Sequence, residues 1–381
     1  MQPETVQVEE RTFDTGEFST ELYDVGSTNP TLEKVKEVMG YGTHLLMPYE
    51  VDPAFDQRGR SGTALVPGLF ALWLGEGIVD VLEAHEEQYM GGLYMAARDG
   101  GTRRVGHTII RLSSPTVANE VAAQMNDVYR NLGIEDGTLT PVPHTIPAYP
   151  ELNATRIGGE THAVVAQDEF VLILWMYEPT EPDAPAPDLS WQDAYAAAFL
   201  DAQLPIIPQI PTQLTADGYG NTPGGIPRDP EDMLRYTVER RQEDVGIVPA
   251  SVDPHYFASN YDEPRVIRDM LDRAGVDAMA TNLVNTLRAS NEQAASTLAD
   301  EWRELDLERG FKTYEEPQGL PNTVCITKDD ESGVIYDCTM QYGRYLAMAA
   351  RKDYYTKPED DNAQYELSQM MAAQYEIFKQ R

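Results

Sequence analysis

Cysteine, basic residues and long apolar runs are all scarce in this sequence of 381 residues. Only two cysteines occur, Cys325 and Cys338. No apolar run approaches the roughly 20 residues that a membrane-spanning helix needs, and the longest, 170–177, has the length of a strand. The first four residues show neither the basic nor the apolar part of a signal peptide. If the native protein is exported, we expect its signal to precede this sequence.

Basic residues are outnumbered by more than two to one. The chain has 29 Lys and Arg against 63 Asp and Glu, which gives a net charge of -34. A surface with this excess of negative charge repels nucleic acids and anionic lipid head groups. We therefore exclude nucleic acid as a partner, and we expect membrane contact only through a lipid anchor that this sequence does not contain.

Motifs that would dictate a reaction are missing as well. None of the six histidines has a second one at metal-ligand spacing within its own element. The sequence has no nucleophile elbow and no phosphate-binding loop. It therefore predicts no metal site, no cofactor and no catalytic residue, and it favours a protein that is not an enzyme.

One pattern occurs twice. A strand ends at an Arg-x-Ser step at Arg111 and again at Arg288, and an apolar stripe begins at the same distance after each. The stripe has the spacing i, i+1, i+4, i+5, i+8, which is typical of the core face of a helix. The closing helices also match, since Ala202-Gln203 and Ala373-Gln374 lie at corresponding places.

The repeat predicts an α+β fold of two tandem units, each an antiparallel sheet backed by helices in an α/β-sandwich-like arrangement, which arose by internal duplication. We expect a flexible lead-in over 1–30, a first lobe over 31–204, a Pro/Gly-rich linker over 205–230 and a second lobe over 231–381. Locally, the patterns predict a strand over 45–53, a polar loop over 57–62, a helix over 229–242 and hairpins over 160–178 and 323–340.

Five short segments carry a resemblance to a known family: residues 46–53, 229–237, 274–277, 343–345 and 372–375. Together with the two cysteines, they resemble uncharacterised secreted lipoproteins of mycolic-acid-containing actinobacteria. The resemblance spans roughly residues 22–379. It implies export, a lipid anchor on an N-terminal cysteine and a place in the cell envelope, but it supplies no catalytic residues. The sequence departs from the family at its start, where Met1 stands and the anchoring cysteine would lie upstream.

The two cysteines fall on the predicted hairpin over 323–340. If its turn is centred near Glu331 and Ser332, opposed residues have numbers that sum to 663, so Cys325 faces Cys338. Directly opposed strand residues are close enough for a disulfide. The alternative is a pair of buried free thiols, which would suit a cytosolic protein. We predict the disulfide, because the only two cysteines fall in cross-strand register and the resemblance implies an oxidising compartment.

Tyrosine is the most abundant aromatic residue, with 21 tyrosines against nine phenylalanines. Exposed tyrosines can bind glycans or proteins by stacking and hydrogen bonding, although tyrosines also fill the faces of strands. We expect a crevice between the two lobes. We predict that Tyr345 and Tyr355 line this crevice or its rim as ligand-binding residues.

These observations predict a non-enzymatic protein of the cell envelope, outside the cytoplasmic membrane. It would bind an envelope ligand, a lipid or a glycan, or an envelope protein. One alternative is an envelope hydrolase or transferase whose site is assembled from distant residues. Another is a structural component of a surface assembly.

Overall fold

The computed structural model describes residues 12–26, 30–132, 140–179, 188–241, 248–355 and 362–381. They divide into two compact units. The N-terminal unit comprises the described residues of 27–228 and 252–269, and the C-terminal unit comprises those of 1–26, 229–251 and 270–381.

The N-terminal unit is built on a seven-stranded antiparallel sheet. The strands are β1 (Gln57–Ala64), β2 (Tyr89–Arg98), β3 (Arg104–Leu112), β4 (Val142–Ile146), β5 (Tyr149–Ile157), β6 (Glu160–Gln167) and β7 (Phe170–Tyr177). Their order in the sheet is β1-β2-β3-β7-β6-β5-β4. The predicted hairpin over 160–178 is therefore present as β6 and β7, and β7 lies inside the sheet, which explains why it is apolar on both faces.

Helices cover both faces of this sheet. They are α1 (Pro30–His44), α2 (Pro48–Val51), α3 (Glu76–Glu83), α4 (Pro115–Asn131) and α5 (Ser190–Gln203), with α6 (Pro254–Ala258) from the later part of the chain. Side chains alternate along β3, so that Ile110 packs with α3 and α4 while His107 contacts Tyr195 on α5. The sheet thus lies between two helical layers, as the α/β-sandwich prediction requires.

The C-terminal unit repeats this plan. Its strands are β8 (Ala250–Val252), β9 (Ala278–Thr281), β10 (Asn285–Arg288), β11 (Lys312–Tyr314), β12 (Thr323–Asp330), β13 (Gly333–Tyr342) and β14 (Tyr345–Tyr354), in the order β11-β12-β13-β14-β10-β9-β8. The helices α8 (Glu292–Glu308) and α9 (Ala363–Phe378) follow β10 and β14, and α7 (Pro264–Ala274) precedes β9.

The two sheets confirm the predicted duplication. Read from β8, the second sheet has the same strand order as the first, with β10 in the place of β3 and β14 in the place of β7. Backbone contacts match too: Leu112 N–H donates to the Glu169 carbonyl at 2.9 Å, and Ala289 N–H donates to the Arg344 carbonyl at 2.9 Å. The Arg-x-Ser steps thus end equivalent strands before equivalent helices.

Three local predictions were wrong, and one of them is the polar loop over 57–62, whose residues lie on strand β1. Residues 45–53 form no strand; Pro48 begins the short helix α2, and the Glu50 carboxylate accepts from the Met47 N–H at 2.7 Å to close its first turn. The predicted helix over 229–242 is only the 3₁₀ turn Leu234–Tyr236 among its described residues. Asp232 has a φ of 56°, which a continuing α-helix cannot include.

The units do not follow the predicted boundaries in sequence. Phe18, within the expected lead-in, is 5% exposed in the core of the C-terminal unit. Ile207 and Ile210, within the expected linker, are buried in the N-terminal unit. The N-terminal unit also takes in α6, where Nδ1 of His255 lies 2.7 Å from the Gly42 carbonyl. Apolar side chains in these segments pack into the nearest core. Boundaries predicted from amino-acid composition do not take this packing into account.

The predicted disulfide is present. Cys325 on β12 faces Cys338 on β13 in the ladder, and their Cα atoms are 4.2 Å apart. Both side chains are buried in the core beneath α9. Within the described ranges, none of the helices combines the length and the apolar character that crossing a membrane requires.

Candidate functional site

A cavity of about 420 Å³ opens on the N-terminal unit at the end of the sheet where β1, β2, β3 and β7 lie side by side. We call it the arginine pocket. Its main lining residues are Arg58, Arg60, Arg98, Arg104, Trp73, Tyr94 and Trp175. The residues predicted as a polar loop over 57–62 form strand β1 instead, and this strand brings two of the four arginines to the pocket.

Two of the arginines face each other. Arg98 ends β2 and Arg104 begins β3, and they are directly opposed partners in the antiparallel ladder. Like charges in directly opposed positions destabilise a sheet. Their juxtaposition is favourable only when something of opposite charge lies between or above them.

Among the described residues, no carboxylate takes this place. None of the four guanidinium groups forms an ion pair with a carboxylate of the described residues, whereas the neighbouring Arg103 pairs with Asp99 at 2.6 Å. Arg60 donates to the Leu72 carbonyl at 3.2 Å. The four strands around the pocket contain no Asp or Glu at all. The charge around the pocket is therefore positive, whereas the chain as a whole has a net charge of -34.

Aromatic rings form the wall of the pocket. The indole of Trp73 stacks on the ring of Tyr94, with centroids 5.4 Å apart and an interplanar angle of 8°. Two glycines make room for these rings: a Cβ at Gly62 would lie 2.8 Å from the Trp73 ring, and one at Gly106 would lie 2.9 Å from the Tyr94 hydroxyl. Small residues on β1 and β3 thus set the depth of the pocket.

The Tyr94 hydroxyl is a further polar group at this wall. Burial raises the pKa of Tyr94 to about 12, although the positive charge of Arg60 acts in the opposite direction. The hydroxyl therefore keeps its proton at neutral pH and can donate a hydrogen bond. Guanidinium groups present pairs of N–H donors that match carboxylate and phosphate oxygens. The arrangement is suited to an anion.

A second cavity, of about 160 Å³, lies in the C-terminal unit between α8 and the sheet, and Trp302 and Asp306 line it. Burial, together with the charge of Asp306, raises the pKa of Asp337 to about 7. Asp306 and Asp337 occupy the places of Tyr129 and His162 in the N-terminal unit, which stack with centroids 4.1 Å apart. Two short carboxyl side chains replace two rings, so this space is left unfilled.

The structure does not bring the predicted ligand-binding tyrosines together. Tyr345 begins β14, where it packs on Phe378, and the Arg381 guanidinium lies 3.8 Å from the centroid of its ring. Tyr355 follows the other end of this ten-residue strand and is 58% exposed. At about 3.3 Å per residue, the two lie roughly 30 Å apart. Their role at a crevice between the lobes stays a prediction.

The histidines offer no catalytic arrangement in the part of the chain that the structure describes. His144 Nε2 lies 2.6 Å from Asp193, and no serine or cysteine side chain hydrogen-bonds to any described histidine. No group of three His, Cys, Asp or Glu side chains among the described residues could hold a metal ion. A nucleophile–base pair of the usual kind is therefore not present there.

Sequence reasoning missed the arginine pocket, although a signal exists. Residues 57–75 and 100–119 contain no Asp or Glu, in a chain where about one residue in six is acidic. Both stretches carry arginines, and they flank β2, which is equally free of acids. Acid-free stretches with arginine in a strongly acidic chain are the pattern to look for.

Family comparisons cover most of the chain. Residues 28–218 match a family described as "Domain of unknown function (DUF7373) N-terminal". Residues 233–381 match the corresponding family described as "Domain of unknown function (DUF7373) C-terminal". A comparison with curated proteins finds no match. The two matched regions correspond to the two halves of the duplication.

Proposed function

The chain belongs to the DUF7373 family, and we propose that it is a non-enzymatic, extracytoplasmic protein of the cell envelope that binds an anionic ligand in the arginine pocket. One observation carries the proposal. Four arginines line one cavity, and none of them pairs with a carboxylate among the described residues, although the chain has more than twice as many acidic as basic residues.

Electrostatic interactions explain why the arginine pocket would bind an anion in preference to a neutral ligand. Hydrogen bonds to charged groups contribute about 1.5–3 kcal/mol each, and two arginines that share one anion also lose their mutual repulsion. The ligand class that fits is a phosphate or carboxylate group attached to a moiety that stacks on Trp73 or Trp175. The aromatic wall favours such a ligand over a bare inorganic anion.

The envelope location rests on different support. The disulfide between Cys325 and Cys338 is typical of an oxidising compartment. The resemblance to secreted actinobacterial lipoproteins implies export and a lipid anchor. Fractionation of the native host, with detection of the protein in membrane and soluble extracts, tests this part; recovery in the cytosol would contradict it.

Calorimetric titration tests ligand binding. Wild-type protein is titrated with glycerol 3-phosphate at pH 7, beside the double variant Arg98→Gln/Arg104→Gln. We expect the double variant to bind at least tenfold more weakly, since 1.4 kcal/mol corresponds to a factor of ten. Arg130→Gln is the matched control, because Arg130 is on α4 and pairs with Asp127. Equal binding by the wild type and the double variant, or no binding by the wild type, would overturn the proposal.

One observation favours a second candidate, an envelope hydrolase. Asp306 lines the cavity, and its charge together with burial raises the pKa of Asp337 to about 7, so the Asp337 carboxyl can donate a proton near neutral pH, as a general acid does. A screen of chromogenic esters and glycosides at pH 5–7 tests it. Turnover that is lost in Asp337→Asn but kept in Asp127→Asn, on α4 of the N-terminal unit, would support a hydrolase, and absence of turnover would dismiss it.

A further inference from the structure

We infer that the anion bound in the arginine pocket is the head group of a lipid in a membrane surface, and that an apolar ridge beside the pocket inserts into that surface. The inference rests on the proposed function and names its ligand class. It follows from three features of the segment between β1 and α3: exposed apolar side chains, contact with the pocket, and absence of acidic residues.

The ridge consists of Val66, Leu69 and Leu72, which are 52%, 41% and 64% exposed. They belong to the 3₁₀ helix Pro67–Leu72 and the residue that precedes it. A 3₁₀ helix has three residues per turn, so positions i, i+3 and i+6 lie on one face. The three side chains therefore form a continuous apolar edge, whereas single exposed apolar residues are ordinary.

This ridge is joined to the pocket. Leu72 is one of the lining residues, and its carbonyl accepts a hydrogen bond from Arg60. The next residue, Trp73, stacks on Tyr94 inside the pocket. Tryptophan and tyrosine are enriched where proteins meet the interface between water and lipid. An anion held by the arginines would thus lie directly beside apolar side chains that face outwards.

Charge on the segment fits an anionic membrane, although the charge on the whole chain does not. Residues 57–75 contain two arginines and no Asp or Glu. At physiological ionic strength, interactions between exposed charges are screened beyond roughly 8 Å. The repulsion from distant acidic residues therefore acts weakly at contact range, where the arginines and the ridge are opposed by the nearest acids, such as Glu83 of α3, whose carboxylate would lie 3.7 Å from a Cβ at Gly68.

The lining of the pocket indicates which part of a lipid it receives. Four arginines and three aromatic residues line it, and this combination suits a phosphate head group. The inference places the phosphate at the arginines and leaves the acyl chains in the bilayer beside the ridge. A membrane surface therefore fits the site better than a soluble anion, which would leave the ridge in water.

Vesicle flotation tests the inference with three proteins. Wild-type chain, the ridge variant Val66→Ser/Leu69→Ser, whose two positions do not line the pocket, and the pocket variant Arg98→Gln/Arg104→Gln are mixed with vesicles of phosphatidylglycerol and phosphatidylcholine (1:1), or of phosphatidylcholine alone. We expect the wild type to float only with the mixed vesicles, and each variant to lose at least tenfold in the floated fraction. Leu307→Ser, an exposed leucine of the C-terminal unit at 39% exposure, should float as the wild type does.

Titration with glycerol 3-phosphate separates this inference from the proposal on which it rests. The ridge variant should bind the soluble anion as tightly as the wild type, while the pocket variant should not. Anion binding by the wild type without flotation, or flotation that the ridge variant retains in full, would overturn the membrane inference and leave the anion site standing. Flotation with phosphatidylcholine alone would also overturn it, because the head-group charge would then be irrelevant.

Discussion

Gln203 on α5 and Gln374 on α9 hold equivalent pieces of backbone in the two units. The Gln203 amide donates to the His44 carbonyl at 3.0 Å and accepts from the Leu46 N–H at 2.8 Å. The Gln374 amide donates to the Tyr236 carbonyl at 2.7 Å and accepts from the Val238 N–H at 3.2 Å. Each clamps a residue pair two positions apart, and each glutamine is completely buried.

Replacing either glutamine with leucine should destabilise its own unit by about 2–4 kcal/mol. The substitution leaves a buried carbonyl and a buried N–H without partners, and each such group costs about 1–3 kcal/mol. Chemical denaturation of Gln203→Leu and Gln374→Leu measures the loss. Gln209→Leu, at an exposed position, is the control and should change stability little. If the buried variants unfold at the wild-type midpoint, the clamp is not a stabilising contact.

These clamps show how much of the fold the sequence could reveal. The Ala-Gln pair occurs in both halves because each glutamine amide makes the same two hydrogen bonds to the backbone. Together with the Arg-x-Ser steps, this pair therefore indicated the duplication. The register of β12 and β13 followed from one short turn, which is why the disulfide could be placed. In such short-range patterns, the spacing of the residues in the sequence is enough to predict their contacts.

Long-range assembly is what the sequence did not reveal. The arginine pocket joins Arg58 and Arg60 to Arg98 and Arg104, some 40 residues later, and they meet only because β1 pairs with β2. The position of Tyr345 in the sheet is a second example: the duplication places it where Phe170 begins β7. Whether a tyrosine ring is packed or exposed depends on its position in the sheet, which the sequence alone does not give.

Arg111 and Arg288 are equivalent residues, and they should respond very differently to substitution. The Arg111 side chain is completely buried, and it contacts Glu37 at 2.5 Å and Glu169 at 3.4 Å. Arg288 is partly exposed and pairs with Asp277. We expect Arg111→Met to destabilise by about 3–5 kcal/mol, because Glu37 is left buried without its partner. Arg288→Met should lose at most about 1 kcal/mol.

Urea denaturation of the two methionine variants measures this difference, and a pH series adds a second readout. Burial raises the pKa of Glu37, and the charge of Arg111 lowers it. Without the arginine, Glu37 should be protonated more readily, so the deficit of Arg111→Met should shrink between pH 7 and pH 5. An equal loss in both variants would refute the distinction between the buried and the exposed pair.

Without a bound anion, the repulsion between Arg98 and Arg104 should lower the stability of the folded protein. Removing one of them relieves a repulsion of about 0.2–1 kcal/mol between opposed like charges. We therefore expect Arg98→Gln to be slightly more stable than wild type, with little added by Arg104→Gln in the double variant. Adding 0.5 M NaCl should raise the melting temperature of the wild type more than that of Arg98→Gln. Additive effects of the two substitutions would show that the side chains do not interact.

Replacing Cys325 and Cys338 with alanine should lower the stability of the C-terminal unit by about 2–3 kcal/mol, because the bridge closes a short loop in the unfolded chain. The N-terminal unit should keep its own transition. Reduction of the wild type should reproduce the loss. Thiol titration of denatured, unreduced protein is the direct check, and two free thiols would contradict both the bridge and the oxidising compartment.

Asp337 should make the protein less stable as the pH rises through neutrality. Burial and the charge of Asp306 raise its pKa in the folded state to about 7, from 3.8. Between these two values the folded state binds more protons than the unfolded state does, so the free energy of unfolding falls as the pH rises from about 4 to about 7, and then levels off. In Asp337→Asn this contribution disappears. We expect the variant to be about 1–3 kcal/mol more stable than the wild type at pH 8 and nearly equal to it at pH 4.

The difference between the two stability curves isolates Asp337 from the other titrating groups. Buried His107, for example, acts in the opposite sense: burial lowers its pKa to about 4, so its neutral form stabilises the fold and that stability is lost as the pH falls below about 6.5. This contribution is common to both proteins and cancels in the difference. Asp300→Asn, on the same helix as Asp306 and paired with Arg303, should track the wild type throughout. A difference that stays flat from pH 4 to pH 8 would mean that Asp337 is already ionised in the folded protein, and it would remove the proton donor on which the hydrolase candidate depends.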